Sequence, residues 1–242
     1  MYQNPFLPPL VAVPSWPHAT PLLAGLDERG DLRLATMELD EIAEALRTEK
    51  CACALVPPAV LLDNPALCVL PGAGLVAGED STMERLLSNR ALESIRRIKV
   101  TAEARPLSIY LQIIFATRGI PVPIIIPSDE DEDGDALLVT GAGLPTAATT
   151  GYNIADLWRT TTGTPLVLGV WACQGAGPIR MLRTVLGEAA RRGTSASEDH
   201  GTSGPPYTYR MLSEESECLR TLHRLARQFA IAGASVESIA FC

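Results

Sequence analysis

Leu166 to Ala172 reads Leu-Val-Leu-Gly-Val-Trp-Ala, a run with no polar side chain. An extended segment this apolar cannot present either face to water, so it predicts a strand covered on both sides. Such strands belong to sheets layered between helices. The flanks agree. Gly163, Thr164 and Pro165 turn the chain into the run, and Pro178 opens a helix after it. Ile179, Leu182, Val185 and Leu186 give that helix one apolar face. Arg191 and Arg192 suit its last turn, and Gly193 is placed to close it. Upstream, Asp135–Thr140 reads as another strand, delivering Thr140 and Gly141 to its carboxyl end.

The rest of the chain alternates in the same way. Leu10–Val13 is a short strand stopped by Pro14. Thr20 before Pro21 predicts a helix start, with a hydroxyl N-cap and proline in the first turn. Leu39, Ile42 and Leu46 share a helix face, and CACALVPP then forms a buried strand ended by Pro57 and Pro58. This βαβ pattern predicts parallel pairing. Gly72, Gly74 and Gly78 mark a flexible passage. MERLLS and RRIKVTAE read as strands, and Pro106 opens a helix with the stripe Leu107, Leu111, Ile114 and Phe115, closed by Gly119. PVPIIIP reads as a buried strand. Six carboxylates crowd Asp129–Asp135, repel one another and predict a solvated loop; the spacing of an EF-hand is absent. TSASEDHGTSGPP has the composition of disorder. A last helix from Ser213 carries Leu219, Leu222, Leu225 and Phe229 inward and is expected to dock on the first lobe.

At 242 residues and 47% hydrophobic, the chain can bury one large core or two smaller ones. A net charge of -8 without a basic face predicts no nucleic-acid partner. The N-terminus lacks the charge and apolar length of a secretory signal, and no apolar run reaches membrane-span length; a cytoplasmic protein with no membrane partner is expected. Cys51, Cys53, Cys68, Cys173, Cys218 and Cys242 form no Cys-x-x-Cys pair, and no histidine stands near them at metal-site spacing. They read as buried free thiols, and no metal is expected.

The order of these segments resembles the menaquinone (futalosine-route) biosynthesis family that contains chorismate dehydratase. VAVPSWPHATPLLAGL resembles the family's opening strand and Y-L-N-T-x-P-L loop, with Trp16 in the Tyr place, Pro17 in the Leu place and His18 in the Asn place. CACALVPPAVLLDNP resembles D-x-A-L-V-S-S-x-E-Y-L-x-N-P, and VTAEARPLSIYL resembles the D-x-S-S-R-T-S turn. YNIADLWRTTTGTPLVLGVWA is the strongest match, and YRMLSEES begins the final segment. The departures fall where ligand is bound. Pro57-Pro58 replaces a Ser pair, Pro106-Leu107-Ser108 replaces Arg-Thr-Ser, and Thr140-Gly141-Ala142 replaces Ile-Gly-Asp.

The resemblance implies an α/β protein with a two-lobed, periplasmic-binding-protein-like (type II) fold, its mixed, mainly parallel sheets separated by a cleft. Lobe 1 would comprise 1–80 plus 171–242, and lobe 2 81–170. It implies a cofactor-free lyase that converts chorismate to 3-[(1-carboxyvinyl)oxy]benzoate. The alternatives are a non-catalytic binder of small aromatic carboxylates on the same scaffold, or a sister enzyme of the route. The partner is then a small carboxylate, chorismate or a relative; the oligomeric state stays open. His18 is the candidate acid or base. Ser15, Trp16, Thr20, Arg105, Ser108, Thr140 and Gly141 are the candidate substrate contacts. Hydroxyls, a guanidinium and helix N-termini suit carboxylate capture. His200, His223, Trp158 and Trp171 read as structural or solvent-facing.

Overall fold

The computed structural model describes residues 7–78, 81–141, 150–174, 178–198, 206–231 and 237–242. Two sheets organise them. The first contains β1 (Leu10–Val13), β2 (Arg33–Thr36), β3 (Cys53–Val56), β4 (Leu67–Ala77), β10 (Val167–Gln174), β11 (Tyr207–Thr208) and β12 (Ala240–Phe241). Its order is β11-β4-β10-β3-β1-β2, with β12 beside the start of β4. The second contains β5 (Glu84–Leu87), β6 (Arg97–Val100), β7 (Ile124–Pro127), β8 (Ala136–Thr140) and β9 (Gly151–Asn153), in the order β7-β6-β8-β5-β9.

Pairing is mixed in both sheets. β1 runs parallel to β2 and β3, as the βαβ pattern requires. β10 returns from the second sheet and inserts antiparallel between β3 and β4. That central position explains its apolar run: Val167 to Cys173 are all buried. β10 belongs to the first sheet along its whole length.

α1 (Leu39–Arg47) is N-capped by Glu38 in a capping box with Glu41, and buries Ile42, Ala45 and Leu46. After the short α2 (Ala59–Leu62), the second sheet is covered by α3 (Ser108–Thr117) and α4 (Ile154–Thr162). Asn153 caps α4 by accepting from the amides of Ala155 and Asp156, and Gly163 closes it in the left-handed region (φ 75°). Tyr110 of α3 meets Trp158 of α4 edge-on, with ring centroids 4.8 Å apart. Its hydroxyl donates to the carbonyl of Val167, so the second lobe's helices grip the start of β10. Trp158 and Trp171 are both fully buried.

Several sequence expectations are corrected. Gly72 and Gly74 lie inside β4, and Gly74 is needed there because a Cβ would come 3.0 Å from the carbonyl oxygen of Gly169. β7 is an edge strand, with Ile124 largely exposed and only Ile126 buried. α5 (Ile179–Glu198) runs through Gly193. Gly193 is where α5 presses on the backbone of Pro21, so its role is close approach and not termination. α6 (Ser213–Gln228) packs on α3 as well as on β10, so it touches both lobes. The free-thiol expectation holds for Cys51, Cys53, Cys173 and Cys218, whereas Cys68 and Cys242 form a disulfide. Their strands meet only in the folded sheet, where Cα atoms 174 positions apart in sequence lie 5.8 Å from one another.

The acidic loop is exposed, as its charge dictates, apart from Asp135. Asp135 accepts from the amides of Arg96 (2.8 Å) and Arg97 (3.0 Å) and pairs with Arg90, anchoring the loop to β6. His200 and most of the Gly/Ser/Pro segment lie outside the described residues. Among the described residues, no helix is long and apolar enough to cross a membrane.

Candidate functional site

β1 ends at Val13, and the chain turns at once into a 3-10 helix over Pro17–Leu23. Two prolines in this segment favour so tight a helix, because each removes an amide donor. The helix begins at Pro17 and not at Pro21. Thr20 therefore does not N-cap it; its hydroxyl donates to the carbonyl of Pro17 at 2.7 Å. Ser15 is exposed. Ala19 and Leu22 bury one side of the turn, and Trp16 and His18 leave on the other, half-buried.

These two side chains open an array of rings. Trp16 stacks on His18 with centroids 5.6 Å apart, and His18 faces Tyr207 of β11 at 5.3 Å. Glycine at position 169 of β10 leaves room for the indole of Trp16; a Cβ there would come 3.2 Å from its Cζ3. Tyr207 donates its hydroxyl to Oε1 of Glu84 at 2.9 Å, and Ser81 donates to Oε2 at 2.9 Å. Glu84 is the first residue of β5 and faces Thr140 across the β5–β8 pair. Thr140 therefore stands in the same cluster as Tyr207. Residues from both sheets thus meet where the chain crosses between them.

The electrostatics follow from burial. Desolvation lowers the pKa of His18 below its ordinary 6.5, so the imidazole is neutral at pH 7. None of the described residues hydrogen-bonds or ion-pairs with it. Glu84 has no exposed surface, and burial raises its pKa; the hydroxyls of Ser81 and Tyr207 oppose that shift. Burial, reinforced by the charge of Glu84, pushes the Tyr207 phenol upward.

Of the sequence-predicted residues, the fold gathers Trp16, His18 and Thr140. Gly141 adjoins them, with φ 53° and open space where a Cβ would stand. Ser15 and Thr20 flank them on the 3-10 segment. Arg105 and Ser108 sit on the turn into α3: the Arg105 side chain is exposed, and the Ser108 hydroxyl donates to the Arg105 carbonyl at 2.7 Å. No hydrogen bond, ion pair or ring contact among the described residues joins that pair to the His18 array. In the same turn, the Thr101 hydroxyl is buried without a partner among the described residues. Pro57 and Pro58, at the end of β3, are buried and apolar. Ala142 lies outside the described residues.

Sequence reasoning missed Tyr207, Glu84, Ser81 and Thr101. Tyr207 sits in the Gly/Pro-rich stretch before the last helix, and Glu84 in a strand whose alternation alone does not reveal a buried carboxylate. A depression of about 740 Å³ elsewhere, lined by Arg29, Ile179, Met181 and Glu188 among others, shares no residue with the array.

The comparisons with known proteins bear on this arrangement. Protein AF1704 from Archaeoglobus fulgidus matches with a TM-score of 0.70 at 15% identity, over 94% of this chain and 100% of that one. The periplasmic aliphatic sulphonate binding protein SsuA from Escherichia coli matches with a TM-score of 0.60 at 12% identity, over 93% and 88%. The alkanesulfonate-binding protein SsuA from Xanthomonas axonopodis pv. citri, bound to MOPS, matches with a TM-score of 0.57 at 12% identity, over 93% and 94%. At these identities the likeness carries the fold, which is periplasmic-binding-protein-like. No curated protein matches the chain. A family model described as menaquinone biosynthesis matches residues 9–227. With nearly its whole length matched, this chain belongs to the menaquinone biosynthesis family.

Proposed function

We propose that this protein is a cytoplasmic, cofactor-free carbon–oxygen lyase of the chorismate dehydratase type, converting chorismate to 3-[(1-carboxyvinyl)oxy]benzoate and water. Family membership supports a role in menaquinone biosynthesis. The observation that carries the finer reading is the uncharged imidazole of His18 held between Trp16 and Tyr207, with no hydrogen-bond partner among the described residues.

The reaction removes a ring proton and a ring hydroxyl, and the ring becomes aromatic. His18 accepts the ring proton, for which a neutral imidazole is the competent form, and returns it to the departing hydroxyl, which leaves as water. Trp16 offers a face to the ring. Glu84 holds the Tyr207 hydroxyl in one direction and so acts as a positioning residue behind His18. Arg105 and the hydroxyl of Thr101 supply donors for substrate carboxylates from the second lobe, with Ser15, Thr20, Ser108 and the Thr140–Gly141 edge as further contacts. Closure of the two lobes would bring these donors together around the substrate.

The test is incubation of purified protein with chorismate, following its loss and the appearance of the enolpyruvyl benzoate by mass. Unchanged chorismate refutes the lyase reading. The buried Pro57-Pro58 pair, where the family pattern has serines, favours a second reading: a binder of small aromatic carboxylates that performs no chemistry. In that case chorismate raises Tm but is not consumed. Under either reading Arg105→Ala weakens carboxylate binding; an unaltered affinity removes Arg105 from the site.

A further inference from the structure

The end of the first sheet remote from His18 holds a feature that the cleft chemistry leaves unused. Cys173 of β10 is the cross-strand partner of Cys53, the first residue of β3, and of Cys68 near the start of β4. β3 runs parallel to β1, and His18 lies beyond the last residue of β1, so these cysteines mark the opposite edge. β12 pairs with the same end of β4, Ala240 beside Cys68, and the Cys242 amide donates to the Val69 carbonyl at 3.0 Å. Cys68 and Cys242 are joined as a disulfide. The Sγ of Cys173 lies 3.4 Å from that of Cys242 and 3.6 Å from that of Cys68.

A disulfide needs two cysteines to tie two strands. It gives no reason for a third thiol against both sulfurs, where a small apolar side chain would pack as well. Thiolates that share a tetrahedral ion at bonds near 2.3 Å stand about 3.8 Å apart. The two separations made by Cys173, 3.4 and 3.6 Å, are close to that spacing. All three sulfurs lie within 4.8 Å of one another, supplied by three neighbouring strands. Exchange of the disulfide with Cys173 is the rival use, and it predicts no metal-dependent shielding of the three sulfurs together.

We propose that Cys68, Cys173 and Cys242 form a three-thiolate site for one thiophilic metal ion of the zinc class once a dithiol reductant has opened the disulfide. The reductant delivers two electrons and two protons to the Cys68 and Cys242 sulfurs and becomes a disulfide itself. The three thiols then release three protons to solvent as three metal–sulfur bonds form. A fourth position remains for water. The ion fastens β12 and β10 to β4 in a reducing medium, as the disulfide fastens β12 in an oxidising one.

The experiment uses the full chain, reduced anaerobically with a phosphine and titrated with Co²⁺. Reduction should raise the free-thiol count from the four unpaired cysteines to all six. One equivalent of Co²⁺ should then produce thiolate-to-cobalt absorption in the near ultraviolet, and Zn²⁺ should abolish it. Cys173→Ser should lose the band, and Cys218→Ser should keep it. Absence of the band in reduced wild-type protein, or a band that survives Cys173→Ser, overturns the proposal. If Cys173→Ser does not fold, alkylation of wild-type protein decides: Zn²⁺ must shield Cys68, Cys173 and Cys242 together, and shielding of another set or of none refutes the site.

Discussion

Replacing Gly193 by alanine should destabilise this protein, although helix propensity alone favours the change. Alanine improves on glycine inside a helix by about 1 kcal/mol. Gly187, in the same helix, has open space where a Cβ would stand, with nothing within 4 Å, so Gly187→Ala should gain that amount. At Gly193 the new carbon would stand 2.5 Å from the Cα of Pro21 and overlap its carbonyl oxygen. Both are backbone atoms, so no side-chain rotation relieves the clash. Overpacking of this kind costs about 3 kcal/mol, which leaves a net loss of about 2 kcal/mol after the propensity gain. For a chain of this size about 2–4 °C accompanies each kcal/mol, so Tm should fall by about 4–8 °C. Gly187→Ala should rise by about 2–4 °C on the same scale. Thermal unfolding of the two variants beside wild type, at fixed pH and redox state, measures both. The strain also reaches the site, because Pro21 shares the 3-10 segment with His18. Chorismate turnover should therefore drop in Gly193→Ala and hold in Gly187→Ala. If both variants gain stability, α5 does not lean on Pro21 and the account of how His18 is positioned fails.

Four other expectations follow from the same geometry. His18→Ala should abolish most chorismate turnover while leaving the circular dichroism spectrum unchanged; a large loss of Tm instead would mark His18 as packing. In wild type, turnover should fall on the acid side with an apparent pKa below 6.5, because burial lowers that of His18, and folding stability should weaken over the same window as the unfolded imidazole takes up its proton first. An acid limb above 6.5 contradicts this assignment. Glu84 titrates the other way. Burial raises its folded pKa above 4.5, so wild type should lose stability relative to Glu84→Gln as pH rises from 4.5 through the folded value, and identical Tm–pH slopes would show that Glu84 is not the buried carboxylate described. Finally, opening the Cys68–Cys242 disulfide should cost about 2–5 kcal/mol, read as a lower Tm under dithiol. Equal Tm values in the oxidised and reduced metal-free states would show that the bond does not restrain β12.

The helices and strands were legible because their causes are local. Gly119 after α3, the turn at Gly163 and the stripes of α5 and α6 are each written within a few neighbouring residues. Where local signals misled, a distant segment intervened. Thr20-Pro21 carries the signature of a helix start, but the 3-10 turn begins earlier and the hydroxyl turns back to Pro17. Gly193 has the sequence signature of a helix end, yet it is a contact with Pro21. PVPIIIP is apolar enough for a buried strand, and only the strand order shows that β7 has one neighbour.

The candidate site divides along the same line. Trp16 and His18 stand together in the sequence, so a ring-bearing loop after the first strand was visible there. Their partners were not. Tyr207 reaches His18 because β11 pairs with the far end of β4, and Glu84 reaches Tyr207 because the chain begins its second sheet at that point. The amino-acid order determined which segments become helices or strands and which faces they bury, since propensity and apolar period act over a few residues. Tertiary structure alone decided that an imidazole would lie on a tyrosine held by a buried carboxylate, and that three cysteines without metal spacing would meet on adjoining strands. Sheet order and register place such residues side by side, and no local pattern encodes them.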